Sequence, residues 1–246
     1  MRPNVVTRGT VRLAASLALA PLAAPALAGD RAGIGYLGYS EDGRYFAFEE
    51  FGVQDGSGFP YANIYVVDLP ADRWVSGTPF RVTLDDEDAD VEDARDAARE
   101  QAAARLDELA IVEAADPIAV NGDGEPGAAG GNELVFGRPG YGLEPVDAAT
   151  IRTLALDVFP LEPAADCAVI DNEVFGFALR LDGTEVHRDA GPLPRSRGCA
   201  QGYRIHAVVR PAGWSQAPGG TVAIIATYPF GFEGPDRRFL AVPLPD

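Results

Sequence analysis

The sequence predicts a mostly β fold of the α+β kind, an antiparallel β-sandwich or barrel-like sheet with one packed α-helix. Three observations predict it. Short runs rich in Val, Ile, Tyr and Phe recur between Gly, Pro and Asp-Gly turn signals. One segment alone, 91–111, carries apolar residues at helical spacing. No unit of about 40 residues repeats, and a propeller needs at least four such blades. An irregular β-propeller-like arrangement is therefore the alternative.

The first 28 residues read as a secretory signal peptide. Arg2, Arg8 and Arg12 form a basic start, and an Ala/Leu-rich core over 13–26 is too short to span a bilayer. Ala26-Leu27-Ala28 then presents small residues at the two positions a signal peptidase reads. A buried N-terminal helix is the competing reading, and three arginines without an acid oppose it. No Cys follows Ala28 to carry a lipid, and no Arg-Arg pair precedes the core. Residues 29–246 are expected to form a single secreted β-rich domain, periplasmic or released. The later apolar run 222–230 is too short for a membrane span.

Ser40-Glu41-Asp42-Gly43 is a turn, because Asp-Gly supplies the positive φ that a tight turn needs. A strand over 44–49 follows, with Phe46 and Phe48 on one face. Residues 50–62 form a loop containing Gly52, Gly56 and Gly58, and 63–69 is the next strand. Pro70-Ala71-Asp72 turns the chain, and Trp74 and Phe80 cover the end of this hairpin. An acid run, 85–88, precedes the helix over 91–111, where unsatisfied amides and the helix dipole favour negative charge. Val91, Ala94, Ala98, Ala102, Leu106 and Leu109 mark its inner face, and the narrow Ala stripe predicts close packing on a sheet. A Gly-rich loop (119–131) and a short strand (134–137) follow. Residues 153–159 alternate, and 174–181 sets Phe175, Phe177, Leu179 and Leu181 on one side. Asp182-Gly183 turns the chain into 185–188. Strands at 203–210 and 221–228 flank a loop around Trp214, and 239–242 closes the chain.

The chain carries 37 acids and 20 basic residues for a net charge of −17, and every basic residue is arginine. A field of this sign repels nucleic acid and anionic lipid surfaces. Without lysine, Schiff-base and lysine-nucleophile mechanisms are excluded. Cys167 and Cys199 are the two cysteines, and in an oxidising compartment pairing is the default. Closing a loop of about 32 residues stabilises a fold by roughly 3–4 kcal/mol on the chain-entropy model. Two free thiols are the alternative. No Cys-x-x-Cys spacing exists for redox or zinc chemistry.

The segment 39–74, with Gln-Asp-Gly-Ser-Gly-Phe-Pro-Tyr inside it, resembles a family of bacterial predicted secreted proteins defined as a domain of unknown function, of the 2259 type. Leu-Pro-Arg-Ser-Arg-Gly-Cys-Ala-Gln-Gly-Tyr-Arg-Ile, 193–205, is similar to the same family. The resemblance implies export and one domain. It brings no activity, cofactor or catalytic residue.

Motifs for chemistry are sparse. No Gly-x-Ser-x-Gly elbow, His-Glu-x-x-His zinc motif or phosphate-cradling loop is present. Strand alternation places His206 with Arg204 and Arg210 on a polar face, and His187 follows a hairpin turn, so both are expected at the surface. Asn121-Gly122-Asp123-Gly124-Glu125 has part of a calcium-loop pattern but meets Pro126 where Gly is needed. No metal or cofactor is expected, and no catalytic residue is assigned.

Two segments are candidates for recognition. The loop 54–61 combines turning glycines with Gln54, Asp55, Ser57 and Tyr61 between two apolar strands. Its plainer reading is a hairpin loop satisfying its own backbone. Arg195 and Arg197, beside Cys199, have the spacing to clamp a carboxylate or phosphate. Equally, they offset nearby acids. The sequence thus points to a non-catalytic periplasmic protein binding a small ligand or envelope partner, acting as a monomer. The alternatives are a carboxylate-dependent hydrolase acting on an envelope glycan and a structural envelope domain without a ligand. N-terminal sequencing of the exported protein is expected to read Gly29-Asp30-Arg31; an intact Met1 would overturn the signal peptide.

Overall fold

A computed structural model describes residues 29–86, 88–122, 131–138, 146–164, 167, 173–212, 220–231 and 233–245. The expected signal peptide, most of the Gly-rich loop with its calcium-like motif, and Trp214 lie outside the described residues. The chain is mostly β, with three antiparallel sheets, one helix and no closed barrel among the described residues.

The first sheet contains β1 (Gly33–Ser40), β2 (Tyr45–Val53), β3 (Pro60–Asp68), β4 (Arg73–Trp74), β5 (Phe80–Thr83) and β6 (Ile111–Glu113), in the order β4-β3-β2-β1-β6 with β5 also paired to β3. The second contains β7 (Ala115–Val120), β12 (Ala200–Pro211), β13 (Val222–Pro229) and β14 (Arg238–Pro243), ordered β14-β13-β12-β7. The third contains β8 (Glu133–Phe136), β9 (Arg152–Pro160), β10 (Phe175–Leu181) and β11 (Thr184–Arg188), ordered β11-β10-β9-β8. The layers are therefore helix, first sheet, second sheet, third sheet.

The second sheet is the middle layer, and its sequence shows why. Ile205, Val208, Ala223, Ile225, Leu240 and Val242 pack on Leu154, Phe177 and Leu179 of the third sheet. The alternate residues Ala207, Val209, Val222, Ile224, Ala226 and Phe239 pack on Tyr39, Phe46, Phe48 and Tyr65 of the first. A strand covered on both faces reads as a continuous apolar run, and β13 does.

That double cover corrects one expectation. His206 does not sit on a polar face: the register of β12 slips between Ile205 and Ala207, its ring meets Phe239 at 5.0 Å, and Arg204 is buried. The bulge breaks the period of two on which the expectation rested.

The helix α1 (Val91–Glu108) lies on the outer face of the first sheet, with Ala94, Ala98 and Ala102 fully buried against Ala62 and Ile64. Asp90 caps it, accepting from the Asp93 N–H at 3.0 Å while the Asp93 carboxylate accepts from the Asp90 N–H at 2.9 Å. Buried Glu49 of β2 fastens it to the sheet, accepting hydrogen bonds from Arg95 and Arg99. The helix ends at Glu108, short of the expected 111. Ala110 takes a left-handed φ of 50°, and Ile111 pairs with Ser40 as the start of β6. No described helix is long and apolar enough to cross a membrane.

Strand β1 goes beyond the sequence expectation, because three glycines dilute its apolar pattern. One of them is obligatory. Gly38 stands at the register shift of β1 with φ 131°, where a β-carbon would collide with the Glu113 carbonyl oxygen of β6. Gly43, with φ 70°, faces open space. Gly38→Ala is therefore expected to cost about 1–3 kcal/mol and to lower the urea midpoint further than Gly43→Ala does. Equal midpoints for the two variants would contradict this account.

Candidate functional site

A groove opens where the free edge of β14 meets Trp74 of β4 and the 3₁₀ turn Arg195–Arg197. It has two lobes, of about 430 Å³ and 400 Å³, which share Trp74, Ser196, Arg197 and Leu240. The turn is held from behind. Cys199 is bonded to Cys167, with Cα atoms 5.5 Å apart, and both join a small apolar cluster with Val174 and Leu193. Within the turn, the Arg197 N–H donates to the Pro194 carbonyl and the Gly198 N–H to the Arg195 carbonyl.

The first lobe is built around His187. The Asp182-Gly183 turn, with φ of 50° and 81°, folds β11 back on β10 and sets His187 opposite Leu179. Its side chain is 13% exposed, not at the surface as expected, because its ring stacks on Phe177 at 4.9 Å. Asp189, almost fully buried, accepts from Arg197 Nη2 at 2.8 Å and from the Phe177 N–H at 3.2 Å. His187 Nε2 lies 3.4 Å from Asp189 Oδ1, and Nδ1 lies 3.5 Å from Asp72 Oδ2. Burial of the ring and the Arg197 guanidinium, with Nη2 3.2 Å from Nε2, oppose its protonation, but the Asp189 and Asp72 carboxylates outweigh them and raise its pKa from the ordinary value.

The second lobe is lined by Arg81, Arg195, Arg197 and Arg238, with Glu50 as its single carboxylate. Glu50 is wholly buried. It accepts from the Phe239 N–H at 2.9 Å, Asn63 Nδ2 at 3.3 Å and the Tyr65 hydroxyl at 3.4 Å. Arg238 ties Glu50 (3.8 Å) to two further carboxylates, Asp30 at 2.7 Å and Asp236 at 3.2 Å. Burial raises the pKa of Glu50, Asp30 and Asp236 against the opposing pull of Arg238. No group of three or more His, Cys, Asp or Glu suited to a metal ion occurs among the described residues.

The predicted site residues fall in three places. Arg195 and Arg197 line the groove. On the β2–β3 loop, the Ser57 hydroxyl donates to Gln54 Oε1 at 3.0 Å and accepts from the Phe59 N–H at 3.3 Å. Asp55 accepts from the Glu233 N–H at 3.1 Å. Gln54, Asp55 and Ser57 line neither lobe. Tyr61 is buried behind the groove, where its hydroxyl donates to Asp30 at 3.0 Å and its ring lies under Arg238. Glu50, Trp74, His187, Asp189 and Arg238 are groove residues that the sequence reading does not identify. The nearest signal is Asp189 two residues beyond His187 and close to the Arg195-Ser196-Arg197 triplet.

The His187 pairing fixes a pH dependence. A histidine whose folded pKa is raised adds stability below its unfolded value, and this is lost as pH rises through the folded value. The stability advantage of wild type over His187→Gln is therefore expected to be larger at about pH 6 than at about pH 8.5, read by urea unfolding at both. An equal or reversed difference would exclude the ion-paired histidine.

The relation of this chain to known proteins rests on one finding. Neither a curated protein nor a solved structure matches it. The model of a family described as Predicted secreted protein (DUF2259) matches residues 47–244. The match runs from β2 to β14 and includes both walls of the groove, so the chain belongs to this family of predicted secreted proteins of unknown function.

Proposed function

We propose that the protein is a non-catalytic binding protein of the periplasm or extracellular space, whose small ligand carries a carboxylate or phosphate and seats against the Arg195-Ser196-Arg197 turn. One observation carries this reading: four guanidinium side chains and a single carboxylate line the second lobe of the groove, in a chain whose net charge is −17. Arg197 and Arg238 also pair with neighbouring carboxylates, Arg81 and Arg195 stand beside them, and guanidinium groups match carboxylate and phosphate geometry. The acid surplus elsewhere opposes nucleic acid as a partner. Within this reading the protein acts as a monomer. The segment 54–61, a loop up to Phe59 whose last two residues begin β3, supports the groove from behind, through Tyr61 on Asp30 and Asp55 on the 233 backbone.

A second reading rests on Glu50. Glu50 lines this lobe with a carboxyl pKa raised by burial, a property of one member of a glycosidase pair, and the second carboxylate such a pair needs is not in the lining of this lobe. Turnover of a glycan by the purified protein would put this reading first.

The test of binding uses Trp74, which lines both lobes. Titration with glutarate and with inorganic phosphate at low ionic strength is expected to give a saturable change in tryptophan emission. The double variant Arg81→Ala/Arg195→Ala is expected to weaken it at least about tenfold with an unchanged melting temperature. Absence of saturable binding by either anion would overturn the proposal.

A further inference from the structure

We infer that the ligand is a short extended peptide with a free C-terminal carboxylate, added antiparallel to the open edge of β14. This rests on the anion-binding reading above and specifies its ligand. The backbone of β14 supplies the argument. Strand β14 is at the edge of the middle sheet, and residues 238–242 all line the groove. The Phe239 N–H points away from β13, since it donates to Glu50, and the Leu244 N–H points toward β13, since it donates to the Thr221 carbonyl. Alternation then turns the backbone groups of 237, 239, 241 and 243 to the open edge.

Three of these four positions are already closed to an added fifth strand. The Arg237 N–H donates to the Asp30 carbonyl, Phe239 is taken by Glu50, and Pro243 has no N–H. Such blunting is how sheet edges avoid unwanted pairing. Ala241 is the exception: it lines the groove, and no described residue accepts from its N–H. A residue at this kind of position exchanges both an N–H and a C=O bond with one residue of an added strand.

The charges set the direction. The lobe at the start of β14 is lined by four arginines against the one carboxylate of Glu50, whereas the lobe beside Ala241 and Val242 sets Asp72 and Asp189 against three arginines and His187, so the stronger positive field is at the Arg238 end. An antiparallel peptide brings its C-terminus to the Arg238 end. The groove length of about five residues at roughly 3.3 Å each fits a peptide of similar length, and a longer chain must leave past the first lobe.

The experiment passes a pentapeptide library, randomised at its last three residues, over the immobilised protein, once as free acids and once as C-terminal amides. The free acids are expected to be retained and to elute with glutarate, and the amides to be retained at least about tenfold less. A retained peptide remade with an ester in place of the amide opposite Ala241 is expected to bind about tenfold more weakly. Ala241→Pro is expected to lose the peptide while keeping glutarate binding. Equal retention of acids and amides overturns the inference, as does an ester that binds like the amide. Failure to retain any peptide while glutarate still titrates Trp74 overturns the peptide and leaves the anion reading standing. Failure of both removes both.

Discussion

Everything in this structure depends on a middle sheet that is covered on both faces. Strands β12 and β13 have little side to turn to water, so both sets of alternating residues are predominantly apolar, with Arg204 and Thr227 the buried polar exceptions. The two outer sheets must also each present a matching apolar face. The first sheet is covered on its other side as well, and there the cover is a helix whose inner face is alanine. Small side chains let α1 approach closely, and the Arg95 and Arg99 bonds to buried Glu49 fix where along the sheet it rests. The layers are thus specified from the inside outward.

The groove is a by-product of that layering. The middle sheet has to end somewhere, and it ends at β14, between a first sheet that stops at the two-residue strand β4 and a third sheet that stops at β11. The gap between those two ends exposes the β14 edge, and the Arg195–Arg197 turn forms its remaining wall. Buried charge then accumulates around this gap. Arg238 partly offsets the burial of three carboxylates, whose pKa values stay raised, whereas Arg197 and its neighbours hold the Asp189 pKa below its ordinary value. These ion pairs hold the groove walls in one arrangement, because removing either partner would leave an uncompensated charge in a dry setting.

Much of the fold was legible in the sequence, and the parts that were not share a physical reason. The Phe46–Phe48 alternation, the alanine stripe at 94, 98 and 102, and the Asp182-Gly183 turn are local signals, and each corresponds to an element of the kind expected. Strand β1 was illegible because its glycines serve close approach to β2 and β6 rather than a turn. The end of α1 was illegible because Ile111 satisfies helical spacing and is diverted only by pairing with Ser40. His206 misled because a bulge inverts parity, and a bulge has no composition. In the groove, Arg195 and Arg197 stood out through their nearness in sequence to Cys199. Glu50, His187 and Asp189 did not, since their meeting depends on the register of β2 against β3 and of β10 against β11, and on the packing of three separate sheets.

The cystine between Cys167 and Cys199 gives the groove a place in time as well as in space. The arginine turn stands immediately before Cys199, at the end of a loop that the bond closes across 32 residues. Without the bond, the Arg197–Asp189 pair and the packing of Leu193 and Val174 still hold that wall, and the chain entropy of the loop works against them. A chain whose thiols are still reduced therefore holds this wall less firmly than the same chain once they pair. The order of this wall is therefore tied to a covalent bond that forms only where thiols can oxidise.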